Sequence, residues 1–231
     1  MNPCIVTRTG RVVDLVAPDP RSINLTDIAL ALSRIPRFGG HTSRDWSVAD
    51  HSLLVCDLVG PDASVELRLA ALLHDAHEAY VGDIVSPVAA MLMGGRSALA
   101  ERKRRIDDAI GHAFALEPGY FDFAGIAAAD QQALAIEVHH LMAEPSGIWD
   151  NLVVLDFIPE LPKTDAFRAQ TQFLIRAFSL VQEMRHGQRA GALGDMPDPR
   201  PQAAEPMPAA TEPSIKEGTE LVQRPGATEN G

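Results

Sequence analysis

The stretch LRLAALLHDAHEAYVGD, residues 67–83, predicts a long helix whose apolar side chains cover most of its circumference. Four polar side chains interrupt it: His74, Asp75, His77 and Glu78. On a helical wheel, His74 and Glu78 lie within about 40° of each other. Asp75 lies about 100° to one side of His74, and His77 about 60° to the other. Because burying an unpaired carboxylate costs several kcal/mol, something must compensate these groups.

Two explanations fit this pattern. A divalent cation would compensate the polar groups, since imidazole nitrogen and carboxylate oxygen suit first-row metals. The alternative is a hydrogen-bonded core histidine beside a capping or ion-paired aspartate, which is the commoner arrangement for an isolated His-Asp pair. Polar residues within other apolar segments favour the metal: His51 in SVADHSLLV, Asp130 in GIAAADQQALAIEV, and Asp83 at the end of the first stretch. Ligands from three helices are typical of a metal site in a helical bundle.

The remaining pattern predicts an all-α bundle with a small N-terminal β-hairpin. The hairpin lies within residues 5–16, around a Thr9-Gly10 turn. The predicted helices run from Asn24 to Ile35, from Ser47 to Val59, from Asp62 through residue 83, onward from Ser86-Pro87, from about Ser97 to Ala115, from about Phe123 to Met142, and from Thr164 to about Arg185. Residues 187–231 are rich in proline and lack aromatic residues, so we expect a folded domain over 1–186 followed by a disordered tail.

The composition excludes several classes of function. The net charge of −11 argues against binding to a nucleic-acid polymer or an anionic membrane, but it leaves room for a small phosphorylated substrate. The two cysteines, Cys4 and Cys56, have no CxxC spacing, and we expect them to be reduced residues of a cytoplasmic protein. The sequence has no signal peptide pattern and no apolar run near the roughly 20 residues that span a bilayer.

The ordered motifs RFGGH, VADHS, LLHDAHEAYVGD and AAAD resemble those of the HD-domain metal-dependent phosphohydrolases. The chain is most similar to the branch that contains bacterial 5′-deoxynucleotidases and related phage deoxynucleoside triphosphohydrolases. The likeness runs from about residue 5 to about residue 180 and implies an HD-domain helical bundle. HDAHE is not the HExxH motif of zinc peptidases, and no phosphate-binding loop of the G-x-x-x-x-G-K-[ST] type occurs.

The resemblance implies a role for each matching residue. The metal ligands would be His51, His74, Asp75 and Asp130. Glu78 and Asp83 would orient or deprotonate the attacking water and assist the leaving group. Arg37 would bind the phosphate, and Phe38 would either contact the sugar or base or simply pack in its loop.

One position departs from the family pattern. Relatives often carry a lysine just after the proline of GD…PxK, where this chain has Ala89. A cation that neutralises phosphate is therefore missing or comes from elsewhere, with the ERKRR run at 101–105 as a candidate. The alternative for that run is a solvated helix face. Among the other histidines, His41 is a candidate for contacting and orienting a metal ligand through the GGH loop. We expect His112, His139 and His140 to be structural or near the surface.

The function that this resemblance implies is the release of phosphate from deoxynucleoside 5′-monophosphates. One alternative is a deoxynucleoside triphosphate triphosphohydrolase, and another is an HD module that binds a nucleotide without turnover. The expected cofactor is a divalent metal ion (Mn²⁺, Co²⁺, Fe²⁺ or Zn²⁺), with Mg²⁺ open for a second site. The expected partner is a small nucleotide, and analogy with relatives suggests a homodimer.

Overall fold

The fold is mostly helical with a small two-stranded hairpin, which confirms the architecture predicted from the sequence. The computed structural model describes residues 2–93, 97–143, 149 and 151–194. The elements are β1 (Cys4–Val6), β2 (Val12–Asp14), α1 (Leu25–Leu32), α2 (Val48–Val59), α3 (Val65–Leu73), α4 (Glu78–Val81), α5 (Ser86–Met93), α6 (Ser97–Ala113), α7 (Ala124–Leu141) and α8 (Ala166–Gly194). None of the described helices is both long enough and apolar enough to cross a bilayer.

Side chains at the helix starts accept hydrogen bonds from free backbone amides, and for α2 the sequence predicts Ser47 as the capping residue. Asn24 caps α1, and Ser47 forms a reciprocal capping box with Asp50 at the start of α2. The sequence also predicts Asp62 as the cap of α3 and Thr164 as the cap of α8, and both predictions are wrong. Ser64, not Asp62, caps α3, and the Asp165 carboxylate, not Thr164, accepts the amide of the third residue of α8. In both cases the capping oxygen must lie three residues before the amide that it accepts.

The helix predicted over residues 67–83 is divided in the structure. It consists of α3 and α4, separated by a turn over residues 74–77. Hydrogen bonds in and beside this turn join residues three apart, as from the Glu78 amide to the Asp75 carbonyl at 2.9 Å. Such winding has about three residues per turn and therefore aligns side chains three apart. The angles of a regular helical wheel therefore do not apply across this turn, which brings Asp75 close to Glu78.

The buried core positions the helices that carry the polar residues. Helix α2 lies between α3, α7 and α8 and contacts all three. Residues 69–73 of α3 are fully buried, as the apolar sequence predicts. A smaller apolar cluster joins the segment before α2 to α7 and to the chain before α8; it comprises Trp46, Ile136, Leu141 and Leu161. This packing directs one end of α3 at the facing sides of α2 and α7.

Helix α8 continues to Gly194, so residues 187–194 are helical although the composition predicts a tail from residue 187. The remainder of that predicted tail, 195–231, lies outside the described residues.

A buried carboxylate attaches the N-terminal hairpin to α1. The Asp27 side chain accepts hydrogen bonds from the Thr7 hydroxyl at 2.8 Å, from the Thr9 amide at 3.0 Å and from the Thr9 hydroxyl at 2.5 Å. Asp27 is itself only 5% exposed. These three bonds fix the hairpin turn on the first helix.

We expect Asp27→Ala to lower the free energy of unfolding by about 1–3 kcal/mol, because it removes the acceptor of partly buried donors. Urea denaturation followed by circular dichroism measures the change. Asp62→Ala is the matched control, since Asp62 is exposed and its side chain accepts no hydrogen bond within the described part of the chain. Equal stability of the two variants would contradict this role for Asp27.

Candidate metal centre

Histidines and carboxylates from α2, α7 and the turn after α3 converge at one place in the fold. Among the described residues, the ligand atoms of His51, His74 and Asp130 lie within 4.8 Å of one another. Asp75 adjoins this group, with Oδ2 at 3.3 Å from Nε2 of His74 and 3.6 Å from Nε2 of His51. The structure thus brings together all four residues that the resemblance implies as metal ligands.

Both histidines of this group are held so that Nε2 faces the other members. His74 Nδ1 lies 2.8 Å from the Ala71 carbonyl oxygen, and His51 Nδ1 lies 2.8 Å from the Glu137 carboxylate. Because these oxygens only accept, each Nδ1 is the donor. Each Nε2 is buried and faces a carboxylate, with His51 Nε2 3.1 Å from Oδ1 of Asp130 and His74 Nε2 3.3 Å from Oδ2 of Asp75, but neither contact has the geometry of a hydrogen bond. This arrangement is characteristic of metal-binding histidines, whose other nitrogen donates to a carboxylate or carbonyl.

The charges around these histidines fit a divalent cation. Burial lowers the pKa of His51, but the Glu137 and Asp130 carboxylates together outweigh it and raise the value to about 9. Burial raises the pKa of Asp75, but His74 and His51 hold it well below its usual range. The pKa of Asp130 is also lowered, because contact with His51 outweighs burial. Negative charge that holds a proton on an imidazole equally attracts a metal ion, which would displace that proton.

Glu137 is a central residue that the sequence reasoning missed. It is fully buried, and its carboxylate accepts from Trp46 Nε1 at 2.7 Å, from Arg37 at 3.2 Å and from His51. Burial raises the pKa of Glu137, but the charges of His51 and Arg37 outweigh it and lower the value to about 2. A signal was available in the sequence. Glu137 follows Asp130 by two helical turns and therefore lies on the same face of α7.

The predicted acidic pair lies beside the first group. The ligand atoms of Glu78 lie within 4.8 Å of those of Asp75 and His77. Burial, together with the charges of Asp75 and Asp83, raises the pKa of Glu78 to about 9. Burial also raises the pKa of Asp83, although Arg37 lies 3.7 Å away. Gly82, which directly precedes Asp83, ends α4 with φ 77° and ψ 162°. Glycine adopts this backbone conformation readily, whereas residues with a Cβ rarely do.

Arg37 and Phe38 lie next to these groups. The Arg37 guanidinium contacts Glu137 at 3.2 Å and Asp83 at 3.7 Å, and its side chain is 14% exposed. Phe38 has a left-handed backbone conformation with φ 54°, which is uncommon for a residue with a Cβ. Its ring packs edge-on against Trp149, with 6.3 Å between ring centroids, and lies 5.4 Å from the Arg37 guanidinium carbon.

The basic run at 101–105 contains residues in both predicted positions: some lie on a solvated helix face, and one lies near the site, where a phosphate could be neutralised. Arg104 and Arg105 pair with Glu101 on an exposed face of α6. Lys103 instead reaches the acidic pair, with Nζ 3.8 Å from Oε1 of Glu78. His41, His112 and His139 are exposed, and His140 contacts the Pro159 carbonyl.

The chain is similar to two bacterial proteins that are themselves uncharacterized. Over 99 residues it is 43% identical to a protein of Rhodobacter capsulatus, a match covering 41% of this chain and half of that relative. Over 137 residues it is 35% identical to YfdR of Escherichia coli K12, covering 59% of this chain and 70% of YfdR. The chain therefore belongs to the same family as YfdR. No family model matches the chain.

We expect Glu137→Gln to weaken binding of Mn²⁺ or Co²⁺ about 10- to 100-fold, because an amide orients His51 less firmly and adds no negative charge. Isothermal titration calorimetry on metal-stripped protein measures the affinity. Glu117→Gln, on an exposed residue, is the control for loss of one carboxylate. Unchanged affinity in Glu137→Gln would show that this carboxylate only stabilises the fold.

Proposed function

We propose that this protein is an HD-type, metal-dependent phosphohydrolase that releases phosphate from deoxynucleoside 5′-monophosphates. The observation that carries the proposal is the convergence of His51, His74, Asp75 and Asp130 from three segments, with both Nε2 atoms buried and lacking hydrogen bonds to described residues. The carboxylates that face these nitrogens, Asp130 at 3.1 Å from His51 and Asp75 at 3.3 Å from His74, are suited to bind a cation together with the imidazoles.

The donor set fits a divalent ion, and His51, His74, Asp75 and Asp130 would hold it. Such an ion supplies positive charge to a phosphoryl oxygen and acidifies an attacking water. Two imidazoles and two carboxylates suit Mn²⁺, Co²⁺, Fe²⁺ or Zn²⁺ better than Mg²⁺ alone. Glu137 and the Ala71 carbonyl keep the two imidazoles oriented.

Glu78 and Asp83 are the residues that would handle protons. Both carboxylates are largely buried, and burial raises the pKa of each; the pKa of Glu78 rises to about 9, so Glu78 can hold a proton near neutral pH. In this proposal one of them orients or deprotonates the water, and the other assists the leaving oxygen. The position of Glu78 beside Asp75 supports this assignment, because the water has to lie next to the ligands.

Two cationic side chains would bind the phosphate. Arg37 faces the acidic pair, and its Nε is buried without a hydrogen-bond partner among the described residues. Lys103 is 26% exposed on its side chain and approaches Glu78, so it can supply the charge that Ala89 lacks. A triphosphate carries more negative charge than these two groups balance, which favours a monophosphate substrate. Phe38, held beside Arg37, would border the nucleoside.

A panel of substrates tests the proposal. Metal-loaded protein is incubated with deoxynucleoside monophosphates and triphosphates in Mn²⁺ or Co²⁺, and inorganic phosphate and triphosphate are measured separately. We expect phosphate from the monophosphates. Triphosphate as the main product would instead identify the triphosphohydrolase alternative.

We expect His74→Ala to lower phosphate release at least about 100-fold, because it removes a metal ligand. The same steady-state assay measures this, with His112→Ala as the control on an exposed histidine. A nucleotide-binding module without turnover predicts a different result: no product from any substrate, and a nucleotide affinity by equilibrium dialysis that His74→Ala leaves intact.

A further inference from the structure

A second group of potential ligands lies beside the proposed metal site and shares Asp75 with it. Glu78 would serve as a ligand in this group, and proton transfer in the proposed reaction would then fall to Asp83. The ligand atoms of Asp75, His77 and Glu78 all lie within 4.8 Å of one another. The tight winding after α3 produces this group, because it aligns Asp75 with Glu78 and places His77 between them in the chain. Asp75 also adjoins His51 and His74, so its carboxylate lies between the two groups.

His77 has the environment of a metal-binding histidine. Its Nδ1 lies 2.9 Å from Oδ1 of Asp107 on α6, which fixes the ring and increases the basicity of the other nitrogen. Its Nε2 is buried and makes no hydrogen bond within the described chain, and the residue is only 6% exposed. A carboxylate on one nitrogen and an unsatisfied, buried second nitrogen indicate a ligand on the second.

Glu78 adds an oxygen that is equally unsatisfied. The residue is 4% exposed, and Oε2 is buried without a hydrogen bond to any described residue. The nearby Lys103 ammonium lies 3.8 Å from the other oxygen, Oε1, a distance too long for a hydrogen bond. Lys103 therefore compensates the Glu78 charge only in part.

The side chains around both groups are mainly carboxylates. Besides Asp75, Glu78 and Asp130 within the groups, Asp107 contacts His77, Glu137 contacts His51, and Asp83 contacts Arg37. The cationic side chains of Arg37 and Lys103 lie among them. Oxygen donors in this number suit bound divalent cations.

We propose that His77, Glu78 and Asp75 form a second divalent-cation site, adjacent to the first and sharing Asp75 with it. The mixed nitrogen and oxygen donors suit Mn²⁺, Fe²⁺, Co²⁺ or Zn²⁺. Asp107 is a positioning residue that orients His77. The inference rests on the proposed function at one point, because Asp75 is also a ligand of the first metal site. It does not depend on which substrate the protein binds.

Metal stoichiometry of the full chain tests the proposal. Stripped protein is titrated with Mn²⁺ or Co²⁺ by calorimetry, and bound metal is counted by mass spectrometry after dialysis. We expect two equivalents in the wild type and one in His77→Gln, with magnetic coupling between paired Mn²⁺ ions lost in the variant. Asp107→Asn should weaken the second binding event about 10- to 100-fold and leave the first unchanged.

Two controls keep the result interpretable. His140→Gln replaces another partly buried histidine, which contacts the Pro159 carbonyl, and should retain two equivalents. Glu78→Gln provides a second test if His77→Gln does not fold, as judged by circular dichroism. One equivalent in the wild type, or two in both the wild type and His77→Gln, would overturn the second site.

The outcomes also separate this inference from the proposed function. Two equivalents that fall to one in His77→Gln, without hydrolysis of any nucleotide, would support the second site and contradict the hydrolase. Hydrolysis by a protein that binds one equivalent would do the reverse.

Discussion

The buried carboxylate of Glu137 is the constraint on which the arrangement of the centre depends. It has no access to solvent, and its charge is compensated by His51 from α2 and by Arg37 and Trp46 from the segment before α2. Removing one partner of a buried ionic network is strongly destabilising, since a charge is then left uncompensated. The same contacts that satisfy Glu137 therefore hold α2, α7 and the preceding segment in one relative position.

The tight turn after α3 is the second determinant. A regular helix would turn each residue by about 100° and would spread the polar side chains around its circumference. Hydrogen bonds between residues three apart change this rotation, so that Asp75 and Glu78 fall in line and His74 remains with His51 and Asp130. A short change in backbone winding thus divides one polar segment between two groups of potential ligands.

Much of the fold could be predicted from the sequence, because its signals are local. Apolar periodicity locates the helices, and Ser47 with Asp50 marks the start of α2. The turn over residues 74–77 could not be predicted in this way, because no residue type requires three-residue winding, and the hydrogen bonds that define it appear only in the fold. The caps at Ser64 and Asp165 differ from the predicted positions by one or two residues, where neighbouring polar side chains compete for the same amides.

For the candidate site, residue types and motif order identified the residues that converge, but not the residues that orient them. Asp107 and Lys103 lie on α6 and become relevant only because that helix packs beside the turn. Glu137 has a detectable spacing from Asp130, yet its role depends on a contact with His51, from which it is far removed in sequence. Such pairings are set by tertiary structure, which a single sequence does not specify.

The uneven exposure of the converging residues has a consequence for how the centre exchanges with its surroundings. The Asp130 side chain is 47% exposed, whereas that of His51 is fully buried and that of His74 is 10% exposed. Solvent therefore reaches the group from the α7 side, past Asp130. An ion held here as proposed would exchange through this side without unfolding of the core, so its occupancy would follow the surrounding concentration.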